Sequence, residues 1–125
     1  MYLLDTNIFL EILLNQEKSS ECKEFLLTNE NQIFISDFSL HSIGVILFRY
    51  NKSEIFRSFI EDIISKIRLL NLPASAYDDI SSFSTKLKLD FDNLYQYSVA
   101  KYYDLHIVTI DSDFKKIKDL KVHFL

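Results

Sequence analysis

The chain carries one cysteine, one glycine, one proline and no tryptophan. With Cys22 as its single thiol, it can form no intramolecular disulfide and build no thiolate zinc site. That usage points to a reduced, cytoplasmic setting. One Gly and one Pro leave little chain for loops built on special backbone geometry, so the connections should be tight. No apolar run approaches the roughly 18 residues of a membrane span. The opening residues lack a basic segment and run straight into a strand-like stretch, unlike a signal peptide. Basic excess is absent too. Fourteen Lys and Arg stand against eighteen Asp and Glu, a net charge of −4. Broad electrostatic adhesion to nucleic acid or anionic membrane is therefore not expected.

What is present is a core. The 125 residues are 48% hydrophobic and 26% charged, with eleven Phe and seven Tyr. That composition fits one globular domain over residues 1–125, with no linker, repeat or low-complexity tract. The pattern predicts strands over 2–4, 32–35, 67–70 and 106–110, and an edge strand over 121–125. Helices are expected over roughly 7–14, 18–29, 38–48, 52–65, 74–86 and 92–103, where apolar residues recur at helical spacing. Strands alternating with helices predict an α/β fold with a mainly parallel central sheet, helices covering both faces.

Two short apolar runs, at opposite ends of the chain, each stop at a carboxylate. The first is Tyr2-Leu3-Leu4-Asp5-Thr6-Asn7; the second is Ile107-Val108-Thr109-Ile110-Asp111-Ser112-Asp113-Phe114. In open α/β sheets, ligands bind beyond the carboxyl ends of the strands. Acids brought together there would repel one another, and a hard cation such as Mg²⁺ or Mn²⁺ gives such a cluster a reason to exist. Asp92, at the start of a helix, is a further candidate. Each acid also has a structural reading: Asp5 and Asp92 suit helix N-caps, and Asp111 suits a turn. No Ser-His-Asp arrangement and no Gly-rich phosphate loop competes with the acidic reading.

The opening residues 2–9, the stretch 107–114 and, between them, Asp92-Asn93-Leu94-Tyr95 with Ala100 beyond resemble the PIN-domain family, especially its small VapC-like toxins. The likeness runs in order along the whole chain; its first and last motifs are specific together, and the middle one is weak alone. It implies a three-layer fold with four to five strands, the first strand central, and an Mg²⁺- or Mn²⁺-dependent ribonuclease site. On that likeness Asp5, Asp92 and Asp111 are the metal ligands, and Asp113 supports the metal or a water. The family usually has a Glu six residues beyond a Ser matching Ser36, but here that position is Ser42. Three outcomes stay open: His41 contributes a nitrogen, Asp37 reaches in from the strand end, or nothing replaces the carboxylate.

The function expected is therefore a metal-dependent endoribonuclease, the toxin of a toxin–antitoxin pair, acting on RNA. An antitoxin protein and a homodimer are the partners that the resemblance implies. The alternative is a catalytically degenerate PIN domain that binds RNA or protein, and a DNA nuclease of the same fold is a third possibility. Lys115, Lys116 and Lys118 follow the last acids, and Lys86 and Lys88 precede Asp90; these could flank a crevice and contact phosphates, with a solvated face the plainer reading of such clusters. The tyrosines at 95, 97, 102 and 103 read as packing residues more readily than as base-stacking ones. Gly44, inside an apolar helix, suggests close helix approach.

Overall fold

A computed structural model describes all residues 1–125. Its five strands are Tyr2–Leu4 (β1), Ile33–Ser36 (β2), Arg68–Leu70 (β3), His106–Thr109 (β4) and Val122–Phe124 (β5). They form one sheet in the order β3-β2-β1-β4-β5, and every neighbouring pair is parallel. β1 is central, as the resemblance implies. Its brevity and unbroken apolarity follow from burial on both faces, since neighbouring residues of a strand point to opposite sides. Leu3 packs with Phe34 and Ile107 on one side, while Leu4 packs with Ile35 and Val108 on the other.

Helices Thr6–Leu13 (α1), Ser19–Thr28 (α2), Asp37–Arg49 (α3) and Ser53–Asp62 (α4) bring Phe9, Cys22, Ile43, Leu47 and Phe59 to the Leu4 side. Helices Asp78–Leu87 (α5) and Phe91–Tyr102 (α6) bring Ile80, Leu94, Tyr95 and Val99 to the Leu3 side. The result is three layers. Burial of Tyr95 and Tyr97 bears out their packing role, whereas Tyr102 is exposed. A Cβ on Gly44 would lie 3.3 Å from the Phe56 ring, so this glycine does set the approach of α3 to α4.

Several boundaries differ from expectation. The helix expected over 52–65 ends at Asp62 and gives way to a 3₁₀ turn, Ile64–Lys66, that leads into β3. The segment after Pro73 starts as a 3₁₀ turn, Ala74–Ala76, before α5 proper. α6 begins at Phe91, so Asp90 holds the N-cap position and Asp92 lies inside the first turn. With so little glycine, Asn15, Asn51, Lys88 and Asp104 take the left-handed backbone positions, with φ from 51° to 58°. No helix is long and apolar enough to cross a membrane.

Candidate active site

All strands of a parallel sheet run the same way, so β1, β2 and β4 deliver their last residues to one edge. β1 hands directly to α1 through Asp5, which is 5% exposed and caps the helix. Its Oδ1 accepts from the Thr6 backbone N–H (2.9 Å) and the Gln96 amide (3.2 Å). Its Oδ2 accepts from the Thr109 hydroxyl at the end of β4 (2.8 Å). That same hydroxyl oxygen accepts from the Asp111 backbone N–H (3.0 Å). Residues 104 positions apart are thus joined through one side chain.

Asp111 then caps the short 3₁₀ turn Ser112–Lys116, its Oδ1 accepting from the Asp113 N–H (2.9 Å). Its Oδ2 accepts from the Asn93 amide in the first turn of α6 (3.3 Å). Behind Asp5 lies a neutral layer. Gln96 accepts from the Ser36 hydroxyl (2.7 Å) and donates to the Ser39 oxygen (2.7 Å). Ser39 and Thr6 share a further hydroxyl contact of 2.8 Å. Ser36 also caps α3, accepting from the Ser39 N–H (3.1 Å). Six elements therefore meet in one hydrogen-bonded cluster.

Burial pushes the Asp5 carboxyl up from the ordinary carboxylate range. Hydrogen bonds from Thr109, Gln96 and Thr6 pull it back, and the charge of Asp111 adds a smaller upward push. An ionised carboxylate offers about four lone-pair sites. Asp5 uses three of these on protein donors, leaving one on Oδ2; Asp111 uses two, leaving one on each oxygen. A cation here would offset both the desolvation and the mutual repulsion.

The other expected ligands are arranged differently. Asp92 is exposed and stands outside the cluster; its neighbour Asn93, half-buried, makes the contact with Asp111. One residue is about 100° around a helix, so a one-place difference decides which side chain faces the crevice. Asp113 is exposed and joins the cluster through its backbone N–H. Ser42 is half-buried on α3, one turn past Ser39. His41 and Asp37 are exposed and line an open groove with Phe38, Tyr77, Phe91 and Tyr95. Asp37 is engaged there, its Oδ1 accepting from the Tyr95 hydroxyl (2.6 Å) and the Phe38 N–H (2.8 Å). Nowhere do three or more His, Cys, Asp or Glu side chains gather in a way that could hold a metal ion. The pair Asp5–Asp111 still fits Mg²⁺ or Mn²⁺ in a limited way, because Mg²⁺ is commonly held by one or two carboxylates with waters and substrate phosphates.

Gln96, which buries its amide against Asp5, was not marked by its residue type. The signal was its spacing: Asn93, Gln96 and Ala100 recur at i, i+3 and i+7 on one helix face.

A family model described as "PIN domain" matches residues 2–120. No curated protein matches the sequence. Among solved structures, the DNA-bound VapBC of Salmonella typhimurium aligns with a TM-score of 0.81 and 19% identity, covering 97% of this chain and 95% of that one. VapBC2 of Rickettsia felis, bound to a promoter DNA fragment, gives 0.78 and 23%, covering 97% and 96%. VapC20 of Mycobacterium tuberculosis, described as a sarcin–ricin loop cleaving toxin, gives 0.77 and 12%, covering 92% and 93%. At these identities the likeness is one of fold.

Proposed function

The chain belongs to the PIN-domain family, and from that premise we propose that it is a metal-dependent endoribonuclease, the toxin of a toxin–antitoxin pair. The observation that carries this reading is the meeting of Asp5 and Asp111 on Thr109 at the carboxyl edge of the sheet. Asp5 and Asp111 would hold the ion, with Asp113 beside them to orient water. Bound Mg²⁺ or Mn²⁺ supplies Lewis acidity at a phosphate and lowers the pKa of water. The protein's own part is placement: Thr109, Gln96 and Thr6 fix the Asp5 carboxylate, while Asn93 and the turn after β4 fix Asp111. Lys115 and Lys116, exposed on that turn, would meet the RNA backbone. An antitoxin chain, a homodimer and a cytoplasmic setting belong to the same proposal; the likeness to VapBC complexes supports the antitoxin.

The test is cleavage of single-stranded RNA with and without Mn²⁺, beside Asp5→Asn. Metal-dependent cleavage that falls at least about a hundredfold in Asp5→Asn is expected. Equal activity of the two proteins would end the assignment.

A second reading is a catalytically degenerate PIN domain that binds RNA or protein. The observation favouring it is neutral chemistry at two positions: Asn93 faces Asp111, and Ser42 stands where the family usually has Glu. Calorimetric titration with Mn²⁺ separates the readings. Saturable binding that disappears in Asp5→Asn supports the enzyme; heat without saturation supports the module.

A further inference from the structure

One turn along α6 from Asn93, Tyr97 forms the wall of a second depression of about 360 Å³. It lies between the end of α5, α6 and the segment after β4. Lys86, Lys101, Lys116 and Lys118 line it, with Asp119 as its only acid. Four of the fourteen basic residues of an acidic chain thus surround one cavity, at a local net charge of +3.

The wall is built rather than incidental. Asp119 accepts from the Tyr97 hydroxyl (2.7 Å) and pairs with the Lys101 ammonium (2.5 Å). Lys101 lies 5.6 Å from the centres of both the Tyr97 and Phe83 rings, which meet edge to face at 5.0 Å. Lys116 donates to the Lys88 carbonyl (3.1 Å), tying the turn after β4 to the end of α5. Lys101 is the only lysine of the four in an ion pair, since the other salt bridge in the chain is Arg57–Glu61. Crowding unpaired ammonium groups is unfavourable unless an anion takes the space between them.

We propose that this cavity is a phosphate subsite for single-stranded RNA, holding a backbone phosphate beside the one placed at Asp5 and Asp111. The inference rests on the RNA-directed reading above and adds a binding site to it. Lys86 and Lys118 supply the open charges, and Lys101 is held over the aromatic wall as a fixed one. Tyr97 is buried and Lys101 covers the rings, so the subsite takes a phosphate and not a stacked base. Such contacts set the path of the strand and carry no base preference.

The probe is a fluorescein-labelled oligouridylate, measured by anisotropy on the full chain in EDTA at several salt concentrations. Lys86→Gln with Lys118→Gln should weaken binding at least about tenfold at low salt. It should also flatten the plot of log K against log salt by about 0.7, the share of one phosphate contact on a single strand. Lys23→Gln with Lys52→Gln, on other exposed surfaces, should leave both quantities unchanged. Equal weakening by both pairs overturns the subsite. So does unaltered binding by the cavity pair when Lys115→Glu, outside the cavity, weakens it; the RNA reading then stands without the cavity. Wild-type protein that binds no RNA defeats the RNA reading itself, and the subsite with it. A glutamate-rich peptide of matched charge that competes as well as RNA overturns the RNA assignment in favour of an acidic protein segment.

Discussion

At the scale of single residues, the crevice is a contest between carboxylates and neutral amides. Asp5 is nearly surrounded by donors, and Asn93 and Gln96 sit where further negative charge would draw a cation in. Asn93→Asp combined with Ser42→Glu would add one carboxylate facing Asp111 and a second at the α3 position where the family usually has Glu. Without metal, the added repulsion should lower stability by about 1 kcal/mol. With Mn²⁺, calorimetry should report affinity at least about tenfold tighter than wild type, and thermal melting should recover the lost stability. An unchanged Mn²⁺ affinity would mean that these side chains do not reach the ion.

At the scale of elements, the scarcity of glycine has a measurable consequence. Asp104 links α6 to β4 with φ 57°, and Lys88 ends α5 with φ 51°. Side chains bearing a Cβ are strained in that region by roughly 1–2 kcal/mol, although Asp less than most. Glycine relieves the strain but loses more entropy on folding, by roughly 0.5–1 kcal/mol. Lys88→Gly should therefore stabilise the fold by about 0.5–1 kcal/mol, and Asp104→Gly by less, as read from urea unfolding midpoints. Destabilisation by both would show that the linking turns depend on their side chains.

For the whole molecule, the edge of the sheet carries a pH response apart from the crevice. His123 on β5 stacks on His106 of β4, with ring nitrogens 3.1 Å apart and Tyr2 edge-on to both. Burial lowers its pKa first, and the positive charges of His106, Lys121 and the Met1 amino group lower it further. The unfolded chain thus binds this proton more readily than the folded one. Stability is full above the ordinary value of 6.5 and declines as pH falls from there toward the depressed folded value. The ring is partly exposed, so the loss should not exceed about 1 kcal/mol. His123→Gln should flatten that slope in urea denaturation between about pH 5 and 7. A slope as steep as in wild type would place its origin elsewhere.

The layered sheet was legible because it rests on short-range pattern, whereas the central place of its first strand was implied by the family resemblance. Leu3-Leu4 needs apolar cover on both faces, and an acid directly after β1 or β4 falls at the carboxyl edge whatever the rest of the chain does. Asp5 and Asp111 could be named as partners for that reason. The side chain that α6 turns toward them was not legible. Asp92 and Asn93 are adjacent letters but differ by about 100° around the helix, and the rotation is set by how Leu94, Tyr95 and Val99 pack on the sheet. Gln96 likewise reads as one more polar residue until Ser36, Ser39 and Asp5 converge on its amide from three other elements. Local sequence specifies where strands end; only long-range packing decides which side chains meet beyond them.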